Sequence, residues 1–226
     1  FYSNDTLLTS KRYQYNVESV LAPVSTYTND SKGNIRVETF KYSVEYPGIT
    51  ENDTLSAGIK NLINKHIFSP IEQMVFLKNS DSSNTRQISS VFTSYRQDMP
   101  VPYRLYALPI TTPLTSYFVS TVSNGSVVKN GDYETRILFN SYDAKGNLLE
   151  QQKVNDMRLN YLWDHNYTLP IAQVSNADSS SIAYTSFEAD SKGGWTYSGT
   201  VYPSLGMTGS NSYSVGGGDI TKSGLA

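Results

Sequence analysis

The chain has 226 residues, 38% of them hydrophobic and 12% aromatic, which is enough apolar material for one large or two small cores. It has no cysteine, and its 18 basic residues face 20 acidic ones for a net charge of -2. That excludes a disulfide framework, a thiolate-ligated metal centre and a thiol nucleophile, and it disfavours a nucleic-acid partner.

The first periodic stretch alternates. Tyr13, Tyr15 and Val17 share one side, as do Val20 and Ala22 after a slip in register, which is the pattern of strands half-buried in a sheet. A strand through Tyr27 then runs into Asp30-Ser31-Lys32-Gly33-Asn34, and a second leaves through Ile35, Val37 and Thr39 toward Val44. Gly33 can adopt positive φ, so the segment predicts a hairpin. After Pro47-Gly48, Asp53 or Thr54 can cap a helix whose Leu55, Ile59, Leu62 and Ile63 form one apolar face. One short helix is therefore expected near residues 54–66, ended by Asn64-Lys65-His66.

Strands are expected at 69–77 and 87–95, joined by the polar link 79–84. Pro100, Pro102, Pro109 and Pro113 restrict 103–108 to a short or edge strand. Asn124-Gly125 and Asn130-Gly131 are turn dipeptides, and 133–142 is a strand. The unit Tyr142-Asp143-Ala144-Lys145-Gly146-Asn147-Leu148 repeats the pattern at Tyr27, and Phe187 to Trp195 is a poorer third echo. The uneven spacing of the Lys-Gly pairs marks recurring hairpins rather than a regular solenoid. The predicted fold class is mainly β: antiparallel hairpins in a meander, with one short helix.

Glycine becomes frequent from about residue 184, culminating in Gly216-Gly217-Gly218. This predicts a β-rich body over 1–183 and, over 184–226, the opening of a further domain too short to fold alone. The start, Phe1 to Thr6, has no initiator Met, basic region or apolar run. A processed product or excised segment is expected, with any targeting signal elsewhere in the parent. No apolar run approaches the ~18 residues that span a bilayer, so no membrane span is expected. A thiol-free surface rich in Tyr, Ser, Thr, Asn and Gly suits an exported β-protein.

His66 and His165 are the only histidines and each has one carboxylate close in sequence, Glu72 and Asp164. A metal site needs more convergent ligands, so neither a metal nor a cofactor is expected. Asp143, Glu150, Asp156 and Asp164 cluster in sequence, but an Asp ahead of a Gly-Asn turn bonds backbone amides and sets the hairpin. Asp30 and Asp143 are assigned that role, with Gly33, Asn34, Tyr142, Gly146 and Asn147 completing the two turns. The stretch Asn29–Asn34 has oxygen ligands for calcium but lacks the distal Glu of an EF-hand loop. No Gly-x-Ser-x-Gly elbow or phosphate loop occurs, and no catalytic residue is assigned. Tyr161, Trp163 and Tyr167, with Trp195 and Tyr197, can form a cross-strand aromatic ladder, a sugar-stacking platform or a protein interface. The ladder is the preferred expectation.

At Tyr142-Asp143-x-x-Gly146-Asn147-Leu148 the chain resembles the YD-repeat, or RHS-like, proteins of extracellular bacterial origin. The run Asn155 to Tyr167 followed by Leu169-Pro170-Ile171-Ala172-Gln173-Val174 resembles the large secreted RHS-like proteins of Bacteroidetes in particular. So do Tyr46-Pro47-Gly48-Ile49, Asn64-Lys65-His66 and Pro70-Ile71-Glu72-Gln73, and the likeness spans residues 25–180. It implies a long antiparallel ribbon of hairpins, wound as a shell around an effector or serving as a surface scaffold. The full repeat occurs once, and the Tyr27 copy reads Tyr27-Thr28-Asn29-Asp30, so a closed shell is not implied. In the tail, Ser186-Phe187-Glu188, Gly194-Trp195, Thr208 to Ser214 and Ile220 to Leu225 resemble the first strands of a carbohydrate-binding, galactose-binding-like jelly roll.

The expectation is a non-enzymatic scaffold segment of a larger RHS-like protein, extracellular or at a bacterial cell surface. Its partners would be neighbouring domains of the same parent chain, with a surface glycan as a further partner and no nucleic acid. The alternative is a carbohydrate-binding module using surface aromatics.

Overall fold

The computed structural model describes residues 9–16, 20–31 and 33–223. The expectations at Phe1–Thr6, Val17, Lys32 and Gly224–Leu225 fall outside the described residues. The protein is mainly β with antiparallel pairing, and its chain divides into two compact units, 1–136 and 137–226. The composition change near residue 184 lies inside the second unit.

In the first unit β1 (Ser10–Asn16), β2 (Val20–Asn29), β3 (Ile35–Tyr42), β4 (Pro70–Lys78), β5 (Arg86–Tyr95) and β6 (Pro102–Ala107) pair antiparallel in chain order. Directly opposed residues share a sheet face. One such row is Lys41, Glu72, Phe92 and Tyr106. α1 (Thr54–Asn64) lies between β3 and β4 in sequence, and β7 (Thr121–Ser123) and β8 (Ser126–Val128) form a small hairpin.

The Asp53 carboxylate caps α1 by accepting from Leu55 N and Ser56 N at 3.1 Å. Ile59 and Leu62 on the helix pack with Tyr46, Ile71, Phe92, Tyr95, Val127 and Tyr133 in the main core. The approach is close: a Cβ on Gly58 would sit 2.1 Å from the Tyr95 carbonyl oxygen. α1 ends at Asn64 rather than His66, because His66 turns to φ 55 and Ile67 N closes the end by donating to Leu62 O at 2.9 Å. The strand expected to run toward Val44 stops at Tyr42. There Glu45 accepts from Tyr42 N at 2.8 Å, and Ser43 Oγ turns to the Ile67 carbonyl.

Glu72 is fully buried on the core face of β4. Ser120 donates to Glu72 Oε2 from both N (2.8 Å) and Oγ (2.5 Å), and Tyr133 OH donates to Oε1 at 2.9 Å. Each hydroxyl has one proton, so the remaining directions follow: Tyr46 OH donates to Ser120 Oγ at 2.5 Å, and Ser90 Oγ donates to Tyr133 OH. Lys41 donates to Ser120 O and lies 4.4 Å from the centre of the Tyr46 ring. Burial lowers the Lys41 amine, against the pull of Glu72 and Glu45, and burial pushes the Tyr46 and Tyr133 phenols up.

β9 (Glu134–Tyr142), which lies in the second unit from Ile137 on, and β10 (Leu148–Lys153), β11 (Arg158–Asp164) and β12 (Leu169–Ser175) pair antiparallel in chain order. Beyond them β13 (Val201–Pro203) pairs with β14 (Asn211–Tyr213). The rings of Phe187, Tyr197 and Tyr213 gather between 5.0 and 5.9 Å apart. The third sequence echo makes no strand hairpin. Gly194 stands where the other two copies have Asn, so the side-chain bond back to the aspartate is lost, and Asp190 accepts from Asn166 N instead.

Glu72→Gln places an amide among groups that all donate, so a loss of about 3 kcal/mol is expected. Tyr46→Phe, which removes only the outer hydroxyl, should cost about 1 kcal/mol. Urea denaturation measures both, and equal losses would contradict the central role of the carboxylate.

Candidate functional site

The structure places the turn residues in two matching constellations. At the first, Asp30 accepts from Asn34 N (2.8 Å) and Asn34 Nδ2 (2.9 Å), while the backbone closes through Asp30 N to Asn34 O and Gly33 N to Asp30 O, both 3.0 Å. At the second, Asp143 accepts from Asn147 N and Nδ2, both 2.9 Å, with Asp143 N to Asn147 O at 3.0 Å and Gly146 N to Asp143 O at 3.1 Å. Gly33 at φ 81 and Gly146 at φ 89 occupy the left-handed region that a Cβ would strain. Tyr142 ends β9 opposite Leu148.

The second turn reaches further than the first. Asn147 Nδ2 also donates to Tyr167 O at 2.7 Å, and Lys145 Nζ donates to Asn166 O at 2.9 Å. The β9–β10 turn is thereby bound to the β11–β12 turn. Lys145 lies 5.2 Å from the centre of the Tyr167 ring, which is 55% exposed. Burial works to raise the Asp143 carboxyl, but the bonds from Asn147, Lys145 and Gly146 outweigh it and hold it below the usual 3.8.

Tyr161 and Trp163 do not form the expected aromatic ladder. Their partners on β12 are Gln173 and Pro170, so the register offers no aromatic ring to either. They line an open cavity of about 440 Å³ with Leu148, Pro170, Ile171, Ala172 and Gln173. Trp163 Nε1 donates to Leu148 O at 2.8 Å and Gln151 Nε2 donates to Tyr161 OH at 2.7 Å, so both rings are pinned at their polar edges. Tyr167 is not part of this lining. Tyr197 belongs to the ring cluster with Phe187 and Tyr213, and Trp195 is half-buried apart from the groove.

Sequence reasoning missed the two buried carboxylates as organising groups. Glu72 had a readable signal, an acid inside the apolar run Ile71–Leu77. Asp164, 3% exposed at the end of β11, had none, because Ser191, which donates to it from both N and Oγ, lies 27 residues along the chain. It accepts from His165 N at 2.8 Å, from Ser191 N at 3.0 Å and from Ser191 Oγ. Burial raises its carboxyl, yet the bonds from Ser191, His165 and Asp190 leave it below 3.8.

His66 and His165 are both exposed, at φ 55 and 51. Among the described residues no three side chains of metal-binding type converge, and no helix is long and apolar enough to cross a membrane. No family model, curated protein or solved structure matches the chain.

The Asp164 pKa is lower folded than unfolded. Its contribution is therefore complete above about pH 4 and is lost as pH falls through the folded value. Asp164→Asn should cost about 2 kcal/mol at pH 7 by urea denaturation, and the gap from the parent protein should narrow toward about pH 2. A gap independent of pH would contradict this.

Proposed function

We propose that this chain is a non-enzymatic β-scaffold segment of a larger extracellular protein of the YD-repeat, RHS-like kind. It presents or packages an adjacent module of the same parent at a bacterial cell surface. The observation that carries this reading is the paired turn chemistry. The Asp30 and Asp143 turns use the same four bonds, and the second is tied sideways into the next hairpin through Asn147 and Lys145. A side-chain amide shared between successive turns keeps neighbouring hairpins in fixed relation, which is what a presenting scaffold requires. Hydrogen exchange on the full chain tests it. Asp143→Ala should speed exchange at 143–147 and at 165–168 together, by about tenfold or more. Acceleration confined to 143–147 would mean that the hairpins are not coupled, and the reading would lose its support.

A second reading, carbohydrate binding, is favoured by the groove of Tyr161 and Trp163. Its two rings are held from their edges, and its lining contains no charged side chain. An aromatic face beside neutral polar groups suits the C–H face of an uncharged sugar. On a glycan array the protein should give saturable binding to neutral glycans that Trp163→Ala abolishes. Absence of a saturable signal sinks this reading and leaves the scaffold untouched.

A further inference from the structure

The outer strands of the first unit build a second, chemically different site. Ser10, Asn29, Ile35 and Lys78 are opposed in one row across β1 to β4, and Arg12 is opposed to Tyr27 in a neighbouring row on the same face. With Ser82 from the β4–β5 connection, these side chains line a cavity of about 380 Å³. The lining brings together a guanidinium, an ammonium, two serine hydroxyls, a phenol and a carboxamide, and among the described residues it contains no carboxylate. The Arg12 guanidinium lies 4.6 Å from the centre of the Tyr27 ring, and that ring is anchored by Tyr27 OH donating to Gln14 Oε1 at 3.0 Å.

Among the described residues, the acids on these strands and turns have donors of their own. Both Asp30 oxygens accept from Asn34, and Asp81 accepts from Ser83 N at 2.8 Å. Glu38 is one residue out of phase with Val37, so it lies on the opposite face of β3, where it pairs with Arg36 at 2.5 Å. Glu72 shares the face of Lys78 but is six residues along β4, about 20 Å away, and is enclosed by its own donors. Among the described residues neither Arg12 nor Lys78 has an ion-pair partner. In a chain with a net charge of -2, two cations that face one cavity and have no ion-pair partner among the described residues are a local reversal of sign.

We propose that this cavity binds a tetrahedral oxyanion, a sulfate or phosphate group. The Arg12 fork and the Lys78 ammonium supply charge-assisted bonds. Ser10, Ser82 and the Asn29 amide supply neutral donors for the remaining oxygens. The cavity has more room than a single ion needs, so the group can arrive as the free ion or as an ester on a larger molecule.

Amide shifts of the full ¹⁵N-labelled chain, followed by NMR, test the proposal. Sodium sulfate, sodium phosphate, glucose 6-sulfate and glucose 6-phosphate are titrated, with sodium chloride and sodium acetate at matched ionic strength as controls. The expected result is saturable shifts at Ser10, Asn29 and Ser82 with the tetrahedral anions. Tighter binding of the sugar esters would identify the source as an ester, and equal binding would identify the free ion. Lys78→Gln and Arg12→Gln should each weaken binding by about tenfold, and Lys60→Gln on α1 should leave it unchanged. Equal shifts with chloride or acetate, or variants that remain folded by their unchanged spectra and bind as before, would overturn the assignment.

Discussion

A carboxylate shut away from water must find its hydrogen-bond donors inside the protein, and Glu72 finds them on segments far from it in sequence. Ser120 and Tyr133 donate to it directly, while Tyr46 and Ser90 support those two donors from behind. β4, the segment that joins β3 to α1, the segment after β6 and the residues ahead of β9 are thus held by one acid. The apolar core around Ile59, Leu62 and Phe92 supplies the burial. The polar network decides which loop lies against it, since any other arrangement would strand a buried donor or acceptor. Asp164 does the same for the second unit, where it binds the end of β11 to Ser191.

The two tight turns work by local chemistry instead. The four bonds that close each turn fall within five consecutive residues, so the same words in the sequence produce the same geometry at Asp30 and at Asp143. The third copy shows how narrow that code is. With Gly194 in place of Asn, the turn does not close and the segment is recruited by Asp164. What differs between the two working turns is their surroundings. The second is tied to the β11–β12 turn by its Asn147 and Lys145.

Two surface features follow from strand register rather than from residue type. The Tyr161–Trp163 groove exists because β12 offers Gln173 and Pro170 opposite those rings, leaving their faces without aromatic partners. The cation-lined cavity exists because pairing across four strands aligns Ser10, Asn29 and Lys78 and puts Arg12 beside them. One surface is apolar and uncharged and the other is basic, so each selects a different chemistry of partner.

The alternation of Tyr13, the Gly33 and Gly146 turns, the Asp53 cap and the Leu55–Ile63 face determined the mainly β class and the position of the helix. All of these act within a few residues and survive translation into local dihedral preference. The tertiary structure alone decided where Glu72 and Asp164 find donors, which rings remain unpaired and which cations share a cavity. These depend on register and on contacts between residues up to dozens of positions apart. A one-residue shift in pairing would turn every one of those side chains to the other face.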